Sequence, residues 1–254
     1  MKLIGFSGKI GHGKDMAAEM LQYIQYKEKI KNGIIDHDPV ISSFTEWENE
    51  YSDEIRRLFS STQIEKFGGK LKDMVCILLN CTREQLEDRE FKESSLSENW
   101  WYYKFQSWTS KYRIISKKEW NSLKDNQKEY YDLVKTTPRL LLQLMGTDCG
   151  REILHPDVWV NATLEPYKQQ LKENSTKYND WVISDVRFPN EVESIEELGG
   201  IVIRIERDSV IPAEEEHESE TALDNYPFKY ILKNNGTKEE LLEKIYKIYK
   251  NKFK

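Results

Sequence analysis

The stretch Gly8-Lys9-Ile10-Gly11-His12-Gly13-Lys14-Asp15 restricts this chain more than any other. An apolar run, Leu3-Ile4-Gly5-Phe6, leads into it. A helical pattern follows, with Met16, Met20 and Ile24 on one face and Ala17 and Leu21 beside them. Strand, glycine-rich loop and helix at G-x-x-x-x-G-K spacing is the pattern of a phosphate-binding loop. Glycines let the backbone curl so that successive N–H groups face anionic oxygens, and the helix N-terminus adds partial positive charge. Lys14 is expected to reach the terminal phosphates. One position departs from the pattern, because Asp15 stands where Ser or Thr usually follows the lysine. A carboxylate beside polyphosphate is repelled unless a cation intervenes. Asp15 is therefore expected to hold Mg²⁺ or a metal-bound water, the alternative being a residue that only complements the helix dipole.

Downstream, strand and helix patterns alternate. Phe67-Gly68-Gly69 reads as a strand end and tight glycine turn before a helix through Leu79. Thr137 and Pro138 read as the N-cap and first residue of a helix that Gly146 ends. Trp181–Asp185 reads as a buried strand ending in a carboxylate. Pro189 opens a helix that runs to Gly199-Gly200, Ile201–Ile205 and Tyr230–Leu232 read as strands, and Thr237-x-x-Glu240 caps a last helix. Residues 27–62 read as loops with one weak strand or helix, and the run Glu214–Glu218 as an acidic loop. The expected fold is α/β, a single P-loop domain over residues 1–254 with a mainly parallel sheet flanked by helices in three layers.

Residues 96–135 have a different texture, holding Trp100, Trp101, Tyr102, Tyr103, Phe105, Trp108 and Trp120. They predict an inserted subdomain, a hairpin plus a helix opened by the capping box Ser116-x-x-Glu119, with Trp120, Leu123, Tyr130 and Val134 at helical spacing. Such a cluster either stacks a base or forms the core of the insertion, and the usual burial of aromatics favours the core.

A net charge of −6 argues against a general nucleic-acid binder, whose footprint is basic, though a few cations suffice to hold phosphates. No apolar run reaches the length of a membrane span. Met1–Gly5 turns directly into the loop without a signal-peptide pattern. Cys76, Cys81 and Cys149 form no C-x-x-C and read as free thiols of a reducing cytoplasm, and the four histidines lack zinc spacing.

Asp185, at a strand end, suits a magnesium ligand or a helix cap equally. Arg187 follows on the same strand-end loop, Arg139 stands at a helix start, and Arg151 follows Gly146-Thr147-Asp148-Cys149-Gly150. Each alone suits a surface ion pair. Together, beside a phosphate loop, they suit guanidinium forks onto phosphate.

Several segments, in order, resemble the phage-type deoxynucleoside monophosphate kinases. They are Gly11-His12-Gly13-Lys14-Asp15, Thr137-Pro138-Arg139-x3-Gln143-x2-Gly146-Thr147-x2-Gly150-Arg151, Asp157-x-Trp159, the block Ile183–Glu191, Gly199–Arg204, His217-x-Ser219-Glu220 and Asn234-Asn235-Gly236-Thr237. The resemblance implies that Gly8, Gly11, His12, Gly13, Lys14, Asp15, Met16 and Asn235 bind ATP. It implies that Arg139, Gln143, Gly146, Thr147, Arg151, Trp159, Asp185, Arg187 and Glu191 serve the acceptor, with catalysis at Lys14, Asp15, Arg139 and Arg187 and magnesium at Asp15 and Asp185. Met16 replaces a threonine of many members, His12 a small residue, and Leu140 a basic residue.

The implied reaction is phosphoryl transfer from ATP to a deoxynucleoside monophosphate, by a cytoplasmic enzyme with neither membrane nor nucleic-acid partner, and the same resemblance suggests a homodimer. Arg204–Glu220 is expected to contribute a lid. The alternatives are another small-molecule P-loop kinase of dephospho-coenzyme A kinase type, or a non-catalytic nucleotide-binding module.

Overall fold

The computed structural model describes residues 2–36, 41–106, 113–173, 180–208 and 221–253. The expected acidic loop, the motif at His217–Glu220 and most of the expected lid fall within 209–220, outside the described residues, as does Trp108. The chain divides into two compact units, residues 1–69 with 159–254 and residues 70–158.

The first unit is built on a five-stranded sheet ordered β2-β6-β1-β7-β8, with every neighbouring pair parallel. The strands are β1 (Lys2–Ser7), β2 (Thr62–Glu65), β6 (Asp180–Val186), β7 (Ile201–Glu206) and β8 (Tyr230–Lys233). A parallel sheet needs cover on both faces, and β1 shows how it gets it. Ile4 and Phe6 point into a cluster with Ala17, Met20, Leu21 and Ile24 of α1 (Lys14–Lys31) and with Leu241 and Ile245 of α12 (Lys238–Phe253). Gly5, of opposite parity, faces α11 (Pro189–Glu197), where a Cβ would lie 2.8 Å from Ile195 Cδ1. The three-layer α/β architecture is thus present, with β1 central and the glycine loop at its carboxyl end.

At the amino ends of the same strands sits a buried polar group. Asp180 accepts from the Lys2 N–H at 2.9 Å and from the Gln25 amide. Burial pushes its carboxyl above the usual Asp value, against the pull of Lys2.

The described residues of 27–62, namely 27–36 and 41–62, are more ordered than the sequence suggested. Helix α1 continues to Lys31, and α2 (Phe44–Glu50) and α3 (Asp53–Ser60) follow. The signals are caps. Ser43 and Glu46 form a capping box, and the Ser52 hydroxyl accepts from the Ile55 N–H. Trp47 is fully buried against Tyr26, ring centroids 4.4 Å apart, so core burial rather than local apolar spacing fixes α2. The expected glycine turn at Phe67–Gly69 is also absent. Helix α4 (Phe67–Leu79) starts at Phe67, because the Asp185 carboxylate caps it through the Phe67 and Gly68 N–H groups at 2.6 and 2.9 Å. A Cβ on Gly68 would lie 3.2 Å from that carboxylate, so the glycine gives the cap room.

The second unit carries the rest of α4, α5 (Arg83–Glu87), α6 (Arg89–Glu93) and an antiparallel sheet ordered β4-β3-β5. Its strands are β3 (Tyr102–Phe105), β4 (Ile114–Ile115) and β5 (Tyr131–Val134), with α7 (Lys117–Asn121) and α8 (Asp125–Lys128) between the last two. The capping box at Ser116 and Glu119 is present. The long helix expected through Val134 is not, since α7 stops at Asn121 and Tyr130–Val134 leads into and along β5. Alternation along that strand had imitated a four-residue repeat.

Helix α9 (Pro138–Gln143) begins as expected at the Thr137 cap. It does not end at Gly146, and a π-helix continues it over Leu144–Leu154. A Cβ on Gly146 would lie 2.9 Å from Leu71 Cδ2, so the glycine serves close packing within the unit rather than termination. Helix α10 (Val158–Lys172) then returns the chain to the first unit. No helix among the described residues is long and apolar enough to cross a membrane.

Candidate active site

The loop after β1 turns on three left-handed glycines, Gly8, Gly11 and Gly13, with φ of +152°, +80° and +95°. Two of them also need their missing side chains. A Cβ on Gly8 would sit 2.5 Å from the Ile205 carbonyl oxygen, and one on Gly13 2.8 Å from the Asn234 amide nitrogen. The loop therefore lies directly on the ends of β7 and β8, fastened by the Asn234 side-chain amide, which donates to the His12 carbonyl at 2.9 Å.

Lys14 is buried at the first turn of α1, and its ammonium donates to the Gly8 and Lys9 carbonyls at 2.6 and 2.9 Å. Burial lowers its pKa to about 8. Arg187 and Arg204 push the same way, while Asp15 and Asp185 oppose them. The structure thus gathers Asp15, Asp185 and Arg187 around the Lys14 ammonium. Asp15 lies at the rim, paired with Lys66 at 2.7 Å and accepting from the Ser184 hydroxyl at 2.9 Å. Surrounding protein raises its carboxyl, but Lys66 and Ser184 outweigh this and hold it below the usual Asp value.

The remaining expected ligands have individual settings. His12 uses Nδ1 to bond the Ile205 carbonyl at 3.0 Å, so its ring is tucked against β7. Burial, aided by Lys14 and Arg204, lowers its pKa. Met16 packs against the apolar core beneath α1. Asp185 uses one oxygen on each of two α4 N–H groups, which is its cap role. Glu191 is buried and accepts from the Arg187 and Phe188 N–H groups at 2.7 and 3.1 Å, shaping the turn that presents Arg187. Asn235 pairs with Asp208, whereas its neighbour Asn234 reaches the glycine loop. Trp159 is buried on α10 in the first unit. Arg139, Gln143, Gly146, Thr147 and Arg151 belong to the second unit. Arg139 pairs there with Glu93, and Thr147 and Arg151 lie on the π-helix.

Sequence reasoning missed three contributors. Lys66 and Ser184 hold Asp15, and Arg204 is buried with one guanidinium nitrogen 3.1 Å from the Ser7 hydroxyl. Only Arg204 had a visible signal, as a charge inside the apolar run Ile201–Ile205.

Among the described residues no group of three or more His, Cys, Asp or Glu side chains gathers to hold a metal. Mg²⁺ in phosphoryl-transfer sites takes one or two carboxylates, with phosphate oxygens and waters completing its shell. The rim carboxylate of Asp15 beside the Ser184 hydroxyl fits that smaller donor set.

The left-handed glycine loop over a buried lysine has the form expected from the sequence, and comparison with known proteins gives its context. The deoxynucleotide monophosphate kinase family model matches residues 2–245. The chain belongs to that family. It is similar to the deoxynucleoside-5'-monophosphate kinase of Escherichia phage T5, 28% identical over 254 residues that cover 90% of this chain and 86% of the phage protein. It is also similar to the deoxynucleotide monophosphate kinase of Escherichia phage RB69, 28% identical over 110 residues that cover 43% of each chain. The family is one of phosphotransferases, for which ATP is the phosphate donor.

Proposed function

We propose that the chain transfers the γ-phosphoryl group of ATP to a deoxynucleoside monophosphate, releasing ADP and the corresponding diphosphate. The observation that carries this reading is the buried Lys14 ammonium inside the glycine loop, with Asp15, Asp185 and Arg187 around it. The family match over residues 2–245 favours it over a dephospho-coenzyme A kinase type or a non-catalytic nucleotide-binding module.

The nucleophile is a phosphate oxygen that already carries charge, so the site needs no strong general base. It needs in-line positioning and positive charge where the transferred group becomes metaphosphate-like. In this proposal Gly8, Gly11, His12 and Gly13 supply loop backbone to the ATP phosphates. Lys14 leaves the Gly8 and Lys9 carbonyls for the terminal phosphate. Met16 packs the loop from below, and Asn235 lies toward the adenine. Mg²⁺ would be held by Asp15, with Asp185 nearby, and would neutralise β- and γ-phosphate charge. Arg187, set by Glu191, would fork onto phosphate. Arg139, Gln143, Gly146, Thr147, Arg151 and Trp159 would serve the acceptor. The family resemblance also brings a homodimer and a host-cytoplasmic setting into the proposal.

The test is ADP release in a coupled assay with dAMP, dCMP, dGMP and dTMP as separate acceptors. At least one should accelerate release well above ATP alone. If none does, the acceptor assignment fails.

A further inference from the structure

One carboxylate beside the phosphate loop has no part in the reaction described. Asp224 faces two cations. It pairs with Lys9 of the glycine loop at 3.2 Å and with the buried Arg204 guanidinium at 3.3 Å. Arg204 is fixed from two further sides, by the Ser7 hydroxyl at 3.1 Å and by the Phe228 ring, 5.6 Å from its centroid. The turn carrying Asp224 is anchored in turn. Leu223 beside it is buried, and the Asp224 N–H closes onto the Thr221 carbonyl at 2.9 Å. The other two carboxylates near Lys14 have partners of their own, Asp15 with Lys66 and Asp185 with the start of α4. Asp224 is therefore the carboxylate that joins the loop's Lys9 to the strand-end Arg204.

We propose that Asp224 is an affinity-setting residue, an internal anion that occupies Lys9 and Arg204 and with which a nucleotide's phosphates compete. This rests on the reading of Gly8–Lys14 as the ATP-phosphate loop. Lys9 follows β1, Arg187 follows β6 and Arg204 lies on β7, so three cations surround the buried Lys14 loop; burial is the main cause of the lowered Lys14 pKa, and Arg187 and Arg204 add to it. A cluster of this kind holds phosphate very tightly unless something moderates it, and product release limits turnover in many phosphotransferases. Asp224 moderates it. It steadies the cations through their shared carboxylate and weakens their grip on a phosphate by the same amount.

The sign of the effect separates this role from a structural one. Replacing Asp224 by Asn keeps the shape and removes the charge. A purely structural residue would, on removal, lower both stability and nucleotide affinity. A competing anion would, on removal, lower stability but raise affinity. The experiment is calorimetric titration of the full chain with ADP and with inorganic pyrophosphate, without divalent metal and over a salt series. Thermal melting is followed in parallel.

Asp224→Asn is expected to bind both ligands about two- to fivefold more tightly than the unsubstituted chain, the range of a partly exposed ion pair, with a steeper salt dependence and a lower Tm. Asp224→Glu should return affinity toward the original value. Equal or weaker binding by Asp224→Asn, with the unsubstituted chain binding normally, overturns the role of Asp224 alone. If the unsubstituted chain binds neither ligand, the phosphate-loop reading falls and this inference falls with it.

Discussion

The two compact units are held by different means. In the first, five parallel strands and their flanking helices bury a continuous cluster from Ile4 to Tyr249, with Phe6, Met20, Leu21, Trp47 and Ile203 almost fully excluded from water. In the second, the buried apolar side chains among the described residues are few, Val75 and Leu86 chief among them, while Met74, Ile77, Leu78, Ile153 and Leu154 are exposed. Its order comes from caps at Thr82, Asp88, Ser116 and Thr137 and from rings laid on one another, as Tyr103 on Trp120 at 4.4 Å. Burial of the first kind is cooperative and resists opening. Contacts of the second kind are local and each is worth little. The difference teaches where each kind of residue was placed. The glycine loop stands on the unit with the continuous core, and Arg139, Gln143, Thr147 and Arg151 stand on the one with few buried apolar side chains.

The largest effect should come from the first unit's chemistry. Lys14→Met is expected to cut turnover by roughly a thousandfold or more, as loss of a phosphate-neutralising cation does. Its melting temperature should not fall, because the ammonium it removes is buried at a cost. Steady-state kinetics beside a melting curve would show this, and a variant that loses its fold would break the comparison.

Next, Leu21→Ala should cost about 2–5 kcal/mol in denaturant unfolding, while Ile77→Ala on the second unit stays within about 0.5 kcal/mol. Similar costs for the two would mean that the second unit buries Ile77 in some state not described above.

Trp101→Ala removes an indole N–H donor to the Leu96 carbonyl at 2.9 Å and a ring 5.0 Å from the Lys135 ammonium. A loss of about 1–2 kcal/mol is expected, with acceptor KM changing less than stability does. A larger KM change would move the aromatic cluster into the acceptor site.

The smallest effect concerns pH and sharpens the contrast in buried charge. The Asp180 carboxyl is raised in the folded chain, so the fold holds that proton more tightly than the unfolded chain does. Its contribution is full below the ordinary Asp value and fades as pH climbs through the raised one. Asp180→Asn should therefore flatten the decline in Tm on leaving acid, and an unchanged slope would remove Asp180 as its source.

Much of the first unit was legible because its signals are local. The apolar runs at Leu3–Phe6, Val182–Ile183 and Ile201–Ile205 are strands buried on both faces, and the glycine spacing is dictated by backbone conformation. What escaped depends on partners distant in sequence. Nothing near Trp47 announces that Tyr23 and Tyr26 will close over it. The start of α4 is set by Asp185, 118 residues away. At Gly146 the sequence misled, because a glycine that ends a helix and one that admits a leucine look alike in one dimension. The site divides the same way. Lys14 and Asp15 follow from the loop, while Lys66 and Ser184 become visible only when β2 and β6 lie side by side.

The strand order has one more consequence, in time rather than space. β1 precedes both strands with which it pairs among the described residues, β6 and β7, and its cross-strand bonds reach 178 and 197 residues along the chain. Until those segments emerge, this buried apolar strand has neither neighbour, and loop closure of that length is slow. Partial chains should be stickier than the finished protein, so yield in a cell is set more by the rate and temperature of synthesis than by the stability of the final fold.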